Sequence, residues 1–330
     1  MNIAVMMSVW CQNLWDELIL KNEIQLLREK YGKKTKFKVF TYDLEDIFYQ
    51  DEAVEYLEYF PIWIKNPKNI FRNMKNYFGF IKTVKWADKV VIWGWWVFFD
   101  NEAWNFSNPL KQWLFRSEII KLLKKDLVIF WVSIDIKLNK NLSTIHKIFS
   151  QAKEVYVRDN ASFELLKDIW VSSEIILDPV FSDNGQEWIK NYEKNYLLKK
   201  INAGDLMLED LSGIDFSWKT LWIAFREWYL PNEKDTIEKI IDYVLNAWGQ
   251  IILLPHSFHT IDMKANDLEF LKHFVKSWVS ISQNMEETYE IYKQKKIDFC
   301  LSMRLHSMIL SQVYAIEFIA IKYAKKSDLM

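Results

Sequence analysis

The sequence predicts an α/β protein with two domains, each built around a mainly parallel sheet. Short apolar runs alternate with amphipathic helical patterns, which is typical of βαβ units. This alternation occurs twice and is interrupted between residues 183 and 218 by a polar, charge-rich segment. The chain has 330 residues, enough for two domains of roughly 150 residues each. We predict an N-terminal domain over 1–182, a linker with a peripheral helix over 183–218, and a C-terminal domain over 219–330.

Each predicted element follows from its local pattern. In the first domain the strand patterns are IAVMMSV, KFKVFTY, KVVIW, LVIFWVSI, EVYVRD and EIILDPVF. In the second domain they are TLWIAFRE, QIILLPHS, WVSIS, IDFCLSMR and EFIAIKY, separated by helical patterns such as EKDTIEKIIDYVLNAWG. Doubly wound sheets bind ligands beyond the carboxyl ends of their strands. Functional residues are therefore expected directly after strands, where the two domains face a cleft.

Composition and charge exclude several classes of function. The 43 basic and 44 acidic residues give a net charge of −1, which argues against a nucleic-acid-binding surface. The two cysteines, Cys11 and Cys300, lie far apart in sequence and suit a reducing compartment. The sequence has no metal-spaced Cys/His cluster, no signal-peptide pattern and no apolar run long enough to cross a membrane. We expect a cytoplasmic protein without a bound metal.

Tryptophan stands at many positions that call for glycine. The chain has 7 Gly and 17 Trp, although an average chain of this length has roughly 23 Gly. Several of these tryptophans close helical patterns or follow strands, where a left-handed backbone favours glycine. We interpret them as glycines of the native protein, in a source organism that reads the codon UGA as glycine. The alternative is a Trp-rich protein with its indoles in the core, and Trp113 is the best candidate for a genuine tryptophan.

Two candidate anion-binding segments lie in the first half of the chain. Asn13 belongs to the segment from Trp10 to Glu17, which follows the first strand pattern and opens a helix. Its side chain could contact a ligand or cap the helix. Gly94, Trp95 and Trp96 follow the strand pattern KVVI, and a glycine-rich loop there would let the backbone approach a ligand closely.

The second domain carries a histidine and two arginines after strands. Arg304 and His306 follow IDFCLSM, and Arg226 follows TLWIAF. Arginine suits a bidentate contact to carboxylate or phosphate, and histidine titrates near neutral pH as a general acid or base. The structural alternatives are a local hydrogen bond at a helix start for His306 and a surface ion pair for Arg226.

Two further residues are candidates for substrate binding. His256 lies in the PHSFH segment after QIILL, with His259 and Asp262 nearby; we favour a loop that faces the substrate over a metal site. Arg158 follows a strand pattern and could bind an anion, or it could pair with Asp159 or another carboxylate.

Taken in order, these motifs resemble the polysaccharide pyruvyl transferase family. The matching segments are G-x-x-N-x-G-D-E at 10–17, A-D-x-V-x-x-G-G-G-G at 87–96, V-R-D-x-x-S-x-x-x-L-x-x-x-G at 157–170, D-P-x-F at 178–181, and R-L-H-S with I-A-I-x-Y-x-x-K at 304–326. The match requires glycine in place of Trp at 10, 15, 93, 95, 96 and 170. The family usually continues beyond the last segment, so we expect the C-terminal domain to be truncated.

The resemblance implies two Rossmann-like domains similar to the glycosyltransferase-B architecture. It also implies transfer of a pyruvyl group from phosphoenolpyruvate to two hydroxyls of a cell-wall or exopolysaccharide sugar, forming a ketal without any cofactor. His306 would be catalytic, and the expected partners are phosphoenolpyruvate and a sugar or lipid-linked glycan, with peripheral association at the inner membrane face through that acceptor. The alternatives are a nucleotide-sugar glycosyltransferase of the same fold and an inactive glycan-binding homologue.

Overall fold

The chain forms two compact α/β units. The computed structural model describes residues 1–7, 12–41, 44, 47–58, 70–100, 109–183, 196–227, 233–259 and 266–322, with backbone only at 70–73, 95, 96 and 109. The first unit comprises residues 1–11 and 23–179, and the second comprises residues 12–22 and 180–330. The main boundary therefore lies three residues before the predicted one, and residues 12–22 belong to the second unit, which the sequence did not indicate.

The first unit contains a seven-stranded parallel sheet. Its strands are β1 (Asn2–Met7), β2 (Lys36–Thr41), β3 (Val54–Glu58), β4 (Lys89–Phe99), β5 (Asp126–Asp135), β6 (Ala152–Val157) and β7 (Glu174–Ile175). Their order in the sheet is β3-β2-β1-β4-β5-β6-β7, which is the Rossmann order extended by one strand. Residues 127–132 of β5 are buried without interruption, as expected for a parallel strand covered on both faces.

Helices separate the strands of the first unit. They are α1 (Leu14–Tyr31), which begins in the second unit, α2 (Ile70–Trp86), α3 (Pro109–Leu122), α4 (Leu142–Phe149) and α5 (Asn160–Asp168). Asp159 caps α5 because its carboxylate accepts a hydrogen bond from the Ser162 N–H at 2.8 Å. Side chains from α2 to α5 and from β4 to β6 form one buried apolar core.

The second unit contains a six-stranded parallel sheet. Its strands are β8 (Leu197–Asn202), β9 (Thr220–Ala224), β10 (Gln250–Leu253), β11 (Val279–Ile281), β12 (Phe299–Ser302) and β13 (Glu317–Lys322). The order is β11-β10-β9-β12-β13-β8, so strand order reverses between β9 and β12. Such a reversal leaves a crevice at the carboxyl ends of the central strands.

Amphipathic helices cover this second sheet. They are α6 (Glu233–Asn246), α7 (Asp267–Leu271), α8 (Met285–Lys293) and α9 (Leu305–Val313). The helix α6 buries Ile237, Ile240, Ile241 and Val244, whose spacing places them on one face. In α9 every residue is buried, including the polar residues His306, Ser307, Ser311 and Gln312. The prediction of two Rossmann-like α/β domains is confirmed.

Two local predictions differ from the structure. The segment 183–218, predicted as a linker with a peripheral helix, contributes the edge strand β8 and short 3₁₀ turns in its described part. Most residues of β8 are exposed or half-buried, so it lacks the apolar pattern that marks the inner strands. Residues 93–96, predicted as a loop after a strand, instead continue β4, and the pairing with β5 is irregular on both sides of Gly94.

Five tryptophans of the described chain adopt a left-handed backbone. Their φ angles are 51° at Trp131, 60° at Trp170, 61° at Trp218, 62° at Trp248 and 68° at Trp278. The last four side chains are between 74% and 94% exposed. In L-residues this backbone region is strained, and glycine is the usual occupant.

Candidate functional site in the second unit

Three neighbouring strands of the second unit end at the same edge of the sheet. Ser302 of β12 lies beside Ala224 of β9, and Leu253 of β10 lies beside Ile223. The Met303 N–H donates to the Ala224 carbonyl at 3.0 Å, which keeps the strand ends aligned. Arg226, the His256 loop and the start of α9 therefore follow adjacent strand ends, as the sequence predicted. Arg226 is half-buried there.

Arg304 is held by a buried carboxylate. Its Nε donates to Asp267 Oδ2 at 2.9 Å, and its Nη2 donates to the other carboxylate oxygen of Asp267. The Arg304 side chain is 12% exposed and that of Asp267 is 2% exposed. The ion pair fixes the guanidinium in place, so the predicted anion contact by Arg304 would have to use its remaining N–H groups.

Asp267 also organises the loop after β10. Its Oδ2 accepts from the backbone N–H groups of His256 and Ser257, both at 3.2 Å. Asp267 therefore connects this loop to the start of α9 through Arg304. Sequence reasoning missed Asp267, because an aspartate at the start of a helix is usually an exposed capping residue.

His306 lies in the first turn of α9 and is covered by an aromatic ring. The imidazole of His306 stacks on the indole of Trp15, with ring centroids 3.9 Å apart and planes inclined by 10°. His306 is 9% exposed and Trp15 is 2% exposed. The sequence predicted His306 to belong to the site and glycine in place of Trp15, so the stack between the two rings was not predicted.

Asn13 caps helix α1. Its Oδ1 accepts from the Trp15 N–H at 3.2 Å, and its backbone forms an antiparallel bridge with Ser257. The Leu14 N–H donates to the His256 carbonyl at 3.1 Å. Of the two roles left open for Asn13, the structure shows the capping role, and it places this segment against the loop after β10.

His256 lies in the interior of the unit instead of facing a substrate. It is 1% exposed; its Nδ1 lies 3.0 Å from the Leu254 carbonyl and its Nε2 lies 3.0 Å from the Tyr292 hydroxyl. Burial, together with the positive charge of Arg304, lowers the pKa of His256 to about 3. The ring is therefore neutral at pH 7, and both nitrogens are used in packing the loop. The sequence predicted that His256 faces the substrate, but neither of its ring nitrogens is left for a ligand.

The remaining predicted residues belong to the first unit. Gly94 is buried in β4 with φ of 128°, and the side chains of Trp95 and Trp96 lie outside the described residues. Burial lowers the pKa of Arg158, and the charges of Asp178 and Asp159 oppose this shift. The guanidinium of Arg158 also lies over the Trp131 ring, 4.8 Å from its centroid.

A buried acid anchors the first turns of α1 in the second unit. Asp183 accepts hydrogen bonds from Lys21 Nζ at 2.7 Å, from the Tyr289 hydroxyl at 2.7 Å and from the Tyr314 hydroxyl at 2.6 Å. Burial opposes ionisation of Asp183, but Lys21 and the hydroxyl donors outweigh it and lower its pKa. This network explains why residues 12–22 pack with the second unit.

Some of the residues singled out in the sequence lie where the structure does not describe the chain. Trp10, Cys11 and Asp262 lie outside the described residues. Within the described ranges, no three His, Cys, Asp or Glu side chains are grouped as metal ligands. The helices described here include none that is both long and apolar enough to span a bilayer.

The two parallel sheets define an α/β protein of two Rossmann-like units, and the solved structures similar to it include epimerases and a heptosyltransferase. A candidate UDP-N-acetylglucosamine 2-epimerase from Listeria monocytogenes is similar in fold, with a TM-score of 0.52, 11% identity, and coverage of 99% of this chain and 80% of that one. The UDP-GlcNAc 2-epimerase from Methanocaldococcus jannaschii has a TM-score of 0.49 at 11% identity, covering 97% and 83% of the two chains. The E. coli heptosyltransferase WaaC has a TM-score of 0.44 at 10% identity, covering 98% and 91%.

The sequence itself identifies the family. The family model described as polysaccharide pyruvyl transferase matches residues 16–325. The chain therefore belongs to the polysaccharide pyruvyl transferase family and is a transferase, which confirms the resemblance deduced from the motifs. No curated protein matches the chain.

Proposed function

We propose that this protein transfers the pyruvyl group of phosphoenolpyruvate to two hydroxyls of a sugar in a cell-wall or exopolysaccharide glycan. The product is a cyclic ketal that adds a carboxylate to the glycan. The reaction takes place in the cytoplasm, which supplies phosphoenolpyruvate, and a lipid-linked acceptor would bring the enzyme to the inner membrane face. The proposal is supported by membership of the polysaccharide pyruvyl transferase family.

The observation that carries the proposal is the edge shared by β9 and β12. These adjacent strands end at Ala224 and Ser302, so Arg226 and His306 follow neighbouring strand ends beside the reversal in strand order. A cation that binds an anion and an imidazole that exchanges a proton are what a phosphorylated enol requires for binding and for protonation. No metal is needed for this chemistry.

The reaction balances with these groups. A proton adds to C3 of phosphoenolpyruvate, and one sugar hydroxyl forms a bond to C2. The second hydroxyl then forms a bond to C2 as the bond to the phosphate oxygen breaks. One hydroxyl proton replaces the proton delivered to C3, and the other leaves with inorganic phosphate. His306 serves as the group that moves the first of these protons, and Arg226 holds the phosphate or carboxylate.

The test is release of phosphate from phosphoenolpyruvate that depends on an added sugar or lipid-linked sugar. In a chain recoded to glycine at position 15, we expect His306→Asn to lower kcat by a factor on the order of 10² to 10⁴ with little change in phosphoenolpyruvate binding. Arg226→Ala should instead weaken binding, because it removes a charge-assisted contact to an anion. His146→Gln is the matched control, because His146 is exposed on α4 of the first unit.

Three outcomes would contradict the proposal or one of its assignments. Wild-type turnover in His306→Asn would leave that histidine with a structural role only. Protection against thermal unfolding by a nucleotide-sugar, but not by phosphoenolpyruvate, would favour a glycosyltransferase. An inactive glycan-binding homologue would bind the acceptor and release no phosphate.

A further inference from the structure

The indole of Trp15 closes one face of the His306 ring. The two rings are nearly parallel at 3.9 Å, and both His306 ring nitrogens are inaccessible to solvent. A substrate that exchanges a proton with His306 needs to bring its reacting atom to one of those nitrogens. In the stacked arrangement, the indole covers one face of the ring and solvent reaches neither nitrogen.

Backbone hydrogen bonds hold the indole in this position. The Phe258 N–H donates to the Gln12 carbonyl at 2.8 Å, and the Leu14 N–H donates to the His256 carbonyl at 3.1 Å. The Asn13 cap fixes the first turn of α1 from the other side. The stack therefore depends on the fold of residues 12–15 against the loop after β10, and not on a freely rotating surface side chain.

We propose that Trp15 is an access residue that covers His306, and that removing its indole opens a flat site on the imidazole ring. A planar group such as the enolpyruvyl part of phosphoenolpyruvate fits a slot that the indole ring occupies. This consequence for catalysis rests on the proposed function, but the cover itself does not. In this chain the Trp15 indole excludes other molecules from His306 and is not itself catalytic; glycine, which the family motif has at position 15, would leave the slot open.

The cover is tested by the reactivity of His306 toward diethyl pyrocarbonate, quantified by mass spectrometry. The exposed His146 serves as an internal reference. In Trp15→Gly we expect the labelling rate of His306, relative to His146, to rise at least about tenfold, because a side chain that is 2% exposed is removed from the ring face. Added indole should restore protection by refilling the slot. Trp15→Phe should label like the parent chain, because it keeps a ring in the stack.

A second tryptophan provides the matched control. Trp248→Gly makes the same exchange at a side chain that is 74% exposed, and we expect it to leave the His306 labelling unchanged. Unchanged labelling of His306 in a folded Trp15→Gly variant would overturn the proposal. Equal labelling of the Phe and Gly variants would overturn it as well.

One measurement needs no variant, in case Trp15→Gly fails to fold. In the parent chain, the carbon-bound ring protons of His306 should resonate upfield of those of His146, since they lie over the indole. Unshifted protons would overturn the stack.

Turnover separates this proposal from the proposed function. We expect Trp15→Gly to raise acceptor-dependent phosphate release from phosphoenolpyruvate. Increased labelling with no phosphate release in any variant would support the cover and contradict pyruvyl transfer.

Discussion

Replacing four exposed tryptophans by glycine should stabilise the protein. Trp170 and Trp248 follow the carboxyl ends of α5 and α6, where the Trp170 N–H donates to the Lys167 carbonyl and the Trp248 N–H donates to the Leu245 carbonyl, each at 3.0 Å. The Val171 N–H donates to the Leu166 carbonyl, and the Gly249 N–H donates to the Val244 carbonyl. Each of these bonds completes a Schellman motif. Trp218 and Trp278 are the third residues of tight turns with positive φ. All four positions favour glycine.

The expected gain can be worked from these positions. A side chain in the left-handed region costs roughly 1 to 2 kcal/mol of stability. Glycine avoids this cost but loses roughly 0.5 to 1 kcal/mol, because its backbone gives up more entropy on folding. Four exchanges therefore contribute about 3 kcal/mol. Trp218 and Trp248 stack with centroids 6.3 Å apart, and the loss of this pair removes about 1 kcal/mol. The net gain in unfolding free energy is about 2 kcal/mol, a sizeable part of an ordinary protein's stability.

The assay is denaturant unfolding of the parent, the four-glycine variant and a four-alanine variant. Alanine removes the same indoles but keeps a Cβ in the left-handed region, so we expect the alanine set to be about 3 kcal/mol less stable than the glycine set. Trp113→Gly is the opposite control: its ring is 5% exposed in α3 beneath the Arg116 guanidinium, and its loss should cost roughly 3 to 5 kcal/mol. Equal stability of the glycine and alanine sets would refute the reasoning, as would a glycine set weaker than the parent.

Three further predictions concern the second unit. The pKa of His256 is lowered to about 3, so the unfolded chain takes up a proton at this residue before the folded chain does, and stability is lost as the pH falls from 6.5 toward 3. The unfolding free energy should drop by about 1.4 kcal/mol between pH 7.5 and 5.5. The variant His256→Gln should remove this drop. Asp267→Asn should cost about 3 kcal/mol, because it leaves the Arg304 charge buried, and a double-mutant cycle with Arg304→Gln should recover most of that loss. Asp183→Asn should cost about 3 kcal/mol at pH 7. Because the pKa of Asp183 is lowered, its ionised form stabilises the fold, and the difference from the parent should shrink as the carboxylate is protonated below pH 4. Denaturant titrations at each pH check all three, and a pH-independent effect for His256 or Asp183 would contradict the respective assignment.

The fold was predictable from sequence because most inner strands of a parallel sheet are apolar on both faces. The continuous burial of β5 and of β12 is of this kind. The edge strand β8 lacks this apolar pattern, because solvent on one side permits charged residues such as Lys199 and Lys200. The sequence therefore did not predict it as a strand. Residues 12–22 pack with the second unit through Asp183 and its tyrosine partners. These residues are far apart in sequence, so no local pattern predicts their contact.

The candidate site was predictable only where it depends on strand ends. Arg226 and His306 follow β9 and β12, and their placement at one edge follows from parallel topology. The roles of Asn13 and His256 were decided by hydrogen bonds that no spacing rule contains. Asp267 lies 37 residues from Arg304, so their ion pair carries no local signal.

The buried tryptophans set the limit of the glycine interpretation. Trp93 and Trp222 are at most 1% exposed, and the indole N–H of each has no acceptor among the described residues. An unsatisfied buried N–H costs roughly 1 to 3 kcal/mol, but removal of a packed ring costs roughly 3 to 5 kcal/mol. Trp222 packs edge-on against Tyr292 at 5.1 Å, so Trp222→Gly should destabilise the unit, and Trp222→Phe, which keeps a ring and removes the N–H, should cost far less. A gain in stability from Trp222→Gly would extend the interpretation to the sheet interior, and a loss would restrict it to the left-handed positions.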